Sequence, residues 1–165
     1  KAQPRWGGGT VGRVRIDDSV RELLLGGTAT IVASRDERMR PALGRGWGVE
    51  VAADGGKLTL CLAAAPGSAM RANLESNGAV AVTCSRPTTY RTVQVKGEAV
   101  RFAAPSEAQL AAVEEHVANF SHEVSAFGLP ADVGRRLRDE ELVAITILPR
   151  EVFDQTPGAK AGSRL

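Results

Sequence analysis

Six short apolar runs, each closed by a turn signal, set the architecture of this chain. They read "TATIVASR" from Thr28, "ALGRGWGVEV" from Ala42, "KLTLCLAAA" from Lys57, "AVAVTCS" from Ala79, "YRTVQVKGEAV" from Tyr90 and "ELVAITILP" from Glu141. A doubly wound sheet needs a long crossover helix between successive parallel strands, and these runs do not alternate one for one with such helices. The order points instead to a mainly β (α+β) chain, a small barrel with flanking helices.

Local grammar places the elements. "DERMRP" after the first run is a polar turn, so runs one and two form a hairpin. In the second run, alternation puts Leu43, Arg45, Trp47, Val49 and Val51 on one face and Gly44, Gly46 and Gly48 on the other. A face stripped of side chains admits two readings: a backbone, helix or flat ligand approaches closely, or the strand is bulged and coiled. In the fifth run Tyr90, Thr92, Gln94 and Lys96 share one polar face. Val100 and Phe102 then change the apolar parity, which predicts a bulge near Gly97.

Three helical segments have readable ends. Ile16, Val20, Leu23 and Leu24 make an apolar face before Gly26 and Gly27. Ser68 is an N-cap and Gly78 a stop for a second helix. Ser106 and Gln109 form a capping box for a longer helix buried through Leu110, Val113, Val117, Phe120 and Val124. His116 and His122 fall off that stripe and read as solvated, with no third ligand at metal-binding spacing. "LPADVGRRLRDEE" reads as a short helix, and Pro149 as the end of the last strand. The domain is expected over 16–154, between a flexible arm over 1–15, containing Trp6, and an irregular tail over 155–165.

Composition excludes several function classes. With 21 basic and 19 acidic residues scattered along 165 positions, the net charge of +2 is too weak and mixed for a nucleic-acid surface. No apolar run reaches the ~20 residues of a membrane-spanning helix. Cys61 and Cys84 both sit inside strand-like runs, which suits buried free thiols in a reducing, cytoplasmic compartment. The glycine-rich phosphate loops, the serine-hydrolase elbow and the zinc-protease helix are all absent from the sequence. What remains is "AAAPGSAMRANL", where Gly67, Ser68 and Arg71 open a helix whose N-terminal N–H groups favour an anion; a plain cap with a solvated arginine is the competing reading.

Taken in order, Arg40-Pro41, Trp47, Ala65-Pro66-Gly67-Ser68, Asn73-Leu74 and the "YRTVQVKGEAV" strand resemble the pyridoxamine 5'-phosphate oxidase-like, FMN-binding split-barrel family, over roughly 26–153. The resemblance implies a six-stranded split barrel and a homodimer with FMN in the cleft between subunits. It also implies flavin-dependent oxidoreductase activity on a small molecule. By the same resemblance, Ser68 and Arg71 would meet the phosphate, with Arg45, Trp47 and Gln94 near the ring. The sequence departs from the family where two basic residues are wanted after the serine, since Ala69 and Met70 stand there. That departure keeps a second expectation open, a split-barrel protein that holds a deazaflavin, haem or another metabolite instead of FMN. A third is a non-catalytic dimer that recruits a partner through Trp6 and the basic 160–164 segment.

Overall fold

Buried and half-buried side chains alternate strictly along β1 (Ala29–Arg35), with Val32 wholly enclosed. The same period of two runs through most of β4 (Ala79–Ser85) and β5 (Thr92–Ala103). Together with β2 (Pro41–Val51), β3 (Leu58–Leu62) and β6 (Val143–Asp154), these strands close an antiparallel barrel in the order β1-β2-β3-β6-β5-β4. The computed structural model describes residues 14–139 and 141–165. The expected arm, with Trp6, lies outside the described residues except for Val14 and Arg15.

Inward side chains from all six strands fill the barrel, among them Val32, Leu60, Val82, Val95 and Ile147. Two helices finish its ends. At one end α1 (Asp18–Leu24) buries Val20, Leu23 and Leu24, and Arg21 donates to the Val51 and Ala52 carbonyls at 2.9 and 2.8 Å. At the other, α2 (Ala69–Asn77) buries Met70 and Leu74, while Asn73 donates to Ser34 and Asn77 to the Arg35 carbonyl. Gly78 ends α2 in the left-handed region at φ 66°, as its stop role requires.

A second core lies outside the barrel, where α3 (Glu107–Ser125) covers β2 and β3. There Val113, Val117, Phe120 and Val124 pack on Trp47, Cys61 and Ala144. The capping box of Ser106 and Gln109 is formed as expected. Burial along α3 starts only at Val113, and Leu110 is 43% exposed. The short α4 (Val133–Leu137) follows, its Gly134 N–H donating to Ser121 Oγ.

Bulges explain the glycine-rich strand and correct two expectations. The β2–β3 register shifts between Trp47 and Glu50, with Gly48 at φ 60° and too close to Val113 for a side chain. Both readings of the glycine face therefore hold in part, because Gly46 faces the barrel interior and Gly48 admits α3. On β5 the register shifts beside Gly97 and again between Ala99 and Arg101. The second shift carries the parity change, leaving Val100 exposed and Phe102 against the core. Pro149 does not end the last strand: it pairs opposite Gly97 at the first bulge, a place where a residue without an N–H is tolerated, and β6 continues to Asp154. Residues 155–165 then fold back on β6, with the Leu165 N–H donating to the Val152 carbonyl at 2.9 Å.

Candidate functional site on the outer sheet face

The register sets five outward side chains in one row across five strands: Arg45, Ile31, Thr83, Gln94 and Phe153. Their neighbours Val32, Val82, Val95 and Val152 point inward and are buried, so the row lies on the outside of the barrel. All five are half-buried. Gln94 Nε2 donates to Thr83 Oγ1 at 2.9 Å, which fixes its amide along the sheet. Beside it the Lys96 ammonium sits 4.8 Å from the centroid of the Phe153 ring. The row thus offers apolar surface for a flat molecule with an amide and two cations at its margin.

Of the five residues expected at a cofactor, the structure brings Arg45 and Gln94 together in this row. Trp47 follows Arg45 on the same side of β2 but is sealed under α3, only 2% exposed, edge-on to His116 and Phe120 at 5.6 and 5.9 Å. Ser68 and Arg71 belong to the end of the barrel closed by α2, and neither has a hydrogen bond or ion pair to the row. Tyr90 does not share the strand face expected for it. It sits in the turn before β5 at φ 58° and is 62% exposed.

The start of α2 can be tested directly as a seat for an FMN phosphate, and it does not fit. Ser68 Oγ already accepts the Arg71 N–H at 3.2 Å as the helix cap. Met70 is 5% exposed and turned into the barrel, with its methyl against Gly44. Ala69 carries no charge. Arg71 is ion-paired with Glu75 and stacked 4.4 Å over Phe102. A dianion placed there would meet one cation already neutralised by its neighbour, so no chemistry is routed through a phosphate at this point.

Other reactive groups are structural. Burial pushes the Cys61 and Cys84 thiols up to about 11, so neither is a thiolate nucleophile at neutral pH. His116, expected to be solvated, is 5% exposed. Its Nδ1 accepts the Gly48 N–H at 3.0 Å and its Nε2 donates to the Thr28 carbonyl at 2.8 Å. Among the described residues no three His, Cys, Asp or Glu side chains converge to hold a metal ion, and no helix is long and apolar enough to cross a membrane. The residues that sequence reasoning missed here are Ile31, Thr83 and Phe153, whose membership follows from strand register alone.

No family model and no curated protein matches the chain in sequence. Solved structures match it in shape. The chain is similar to HupZ of Group A Streptococcus, at a TM-score of 0.53 and 16% identity, over 89% of this chain and 99% of that one. It is equally similar to a candidate pyridoxamine 5'-phosphate oxidase from Lactobacillus delbrueckii, at a TM-score of 0.53 and 14% identity, over 84% and 93% of the two chains. At these identities the likeness is one of fold.

Proposed function

Because the chain has the split-barrel fold of the pyridoxamine 5'-phosphate oxidase-like proteins, we propose that it acts as a homodimeric oxidoreductase. Its outer sheet faces would line a cleft for a flat redox ligand of the flavin class. The observation that carries this reading is the row Arg45–Ile31–Thr83–Gln94–Phe153, a ligand-sized strip of half-buried side chains on the outer sheet face. In the dimer the two subunits would each contribute such a strip, burying on the order of 2,000 Å² or more in all, as obligate pairs do. Ile31 and Phe153 supply apolar contact, Gln94 an oriented amide and Arg45 a charge at the edge of the ring. A bound flavin supplies the hydride or electron-pair chemistry, and the chain binds and orients it and its small-molecule substrate.

The misfit at α2 favours a second reading, in which the ligand is flat but is not FMN: a deazaflavin, a haem or another metabolite. Both readings are tested by the visible absorption spectrum of the purified protein, alone and titrated with FMN, riboflavin and haem, together with its mass by light scattering. A dimer that takes up FMN or riboflavin saturably supports the first reading. A dimer that binds haem, or keeps another chromophore, and ignores both flavins supports the second. A colourless monomer that binds none of them overturns both.

A further inference from the structure

One row below the strip just described, the outer face changes character. Ala33 on β1 stands opposite Ala81 on β4, and Ala81 stands opposite Lys96 on β5. With Ala79 these residues floor a groove of about 340 Å³, rimmed by Met39 and Pro41 of the β1–β2 hairpin. Lys96 lines one side of the groove, and Arg35, the last residue of β1, lines another.

The two cations are not matched by acids. Two other arginines at this end of the barrel have carboxylate partners, Arg40 with Asp36 and Arg71 with Glu75, whereas Arg38 of the same hairpin, like Arg35, has none within 4.0 Å among the described residues. Among the described residues, no carboxylate oxygen lies within 4.0 Å of Arg35 or Lys96. Glu151 pairs opposite Lys96 across β5 and β6, but its carboxylate turns to Arg164 at 3.6 Å. Glu98, two residues along β5, is held by Arg150 at 2.8 Å. Arg35 spends one N–H on the Asp36 carbonyl, and the Lys96 ammonium lies over the Phe153 ring. Two lining cations without a carboxylate within 4.0 Å among the described residues, beside a floor of methyl groups, make an environment for an anion attached to a flat apolar body.

From this we infer that Arg35 and Lys96 form an anion subsite on the outer face, and that it takes the charged group of a flat aromatic ligand, a carboxylate or phosphate. The inference rests on the reading of the outer face as a ligand cleft, and it assigns the charge recognition that the start of α2 cannot supply.

The test uses the whole chain and a matched pair of probes, 2-naphthoate and neutral 2-naphthamide, followed by calorimetry and by the methyl signals of Ala33 and Ala81. The wild type is expected to bind naphthoate about tenfold more tightly than naphthamide, a preference that falls as salt is raised. Arg35→Gln with Lys96→Gln should bring the two probes within about twofold while leaving naphthamide binding intact, which also shows that the groove has folded. Arg71→Gln should change neither probe. Equal binding of the two probes by wild type, or a preference that survives the double substitution or disappears with Arg71→Gln, overturns the inference. FMN and riboflavin run alongside separate the two claims. Naphthoate preference without flavin binding removes the flavin reading and keeps the subsite, whereas flavin binding without naphthoate preference does the reverse.

Discussion

The Nδ1 of His116, in the middle of α3, accepts the backbone N–H of Gly48 at the bulge of β2 at 3.0 Å. An acceptor nitrogen must be unprotonated, and burial holds the His116 pKa below its usual 6.5. The folded state therefore prefers the neutral ring, while the unfolded chain takes up a proton near pH 6.5. The stability that His116 contributes is complete above that pH and is lost as pH falls below it toward the lower folded value. The wild type should melt progressively lower in buffers taken from pH 7.5 to pH 5.5. His116→Ala should lower stability by about 1–3 kcal/mol at neutral pH and flatten that acid limb. An acid limb unchanged in the variant would exclude His116 as its source.

Gly48 makes the same junction sensitive to a single methyl group. At φ 60° an L-residue is strained, and a Cβ there would lie 2.9 Å from Val113 of α3. Gly48→Ala is expected to cost about 2–4 kcal/mol, the left-handed strain adding to overpacking. Urea unfolding measures it, and a loss below 0.5 kcal/mol, taken as about the size of an ordinary surface substitution, would mean that α3 sits looser than described.

Met70→Lys addresses the missing charge at the start of α2. Because Met70 faces the barrel interior, the new ammonium would be buried among apolar core side chains, and stability should fall by about 2–4 kcal/mol. A variant as stable as wild type that gains FMN affinity over riboflavin would show that α2 can turn this position outward.

The thiols should be silent in the native protein. Burial raises both Cys61 and Cys84 to about 11 and removes them from solvent. Ellman's reagent at pH 8 should label neither until guanidinium is added, after which both react. Rapid native labelling of Cys61 would indicate that α3 opens from the barrel.

Much of the fold was legible because it follows period and punctuation. The helix ends at Ser68, Gly78 and Ser106, the six strands and the bulge near Gly97 all rest on signals within a few residues of one another. The errors come where distant segments decide. His116 looked solvated because its polar atoms find partners 68 and 88 positions away, in Gly48 and Thr28. Pro149 looked like a terminator because the bulge that accommodates it is made with β5. Trp47 shares the side of β2 that carries Arg45, and alternation alone cannot tell which part of that side α3 covers. Gln94 and Arg45 were identifiable singly, but their meeting in one row needs the registers of three strand pairs.

The six strand pairs close the barrel, and the far end of β6, beyond its pairing with β3, is taken by the chain's own C-terminal residues, which bridge Phe153 through Arg164. A ligand lying flat on the outer face would meet side chains, which alternate out of the sheet and can be exchanged singly. If the outer face is the cleft proposed above, replacing Arg35, Arg45, Gln94 or Lys96 would alter what it recognises while leaving the barrel core, which none of them enters, in place. The frame is set by the inward residues and the outer face by their alternate neighbours, so the two can vary separately, and the chain matches known barrels in form at 14–16% identity while matching no family model.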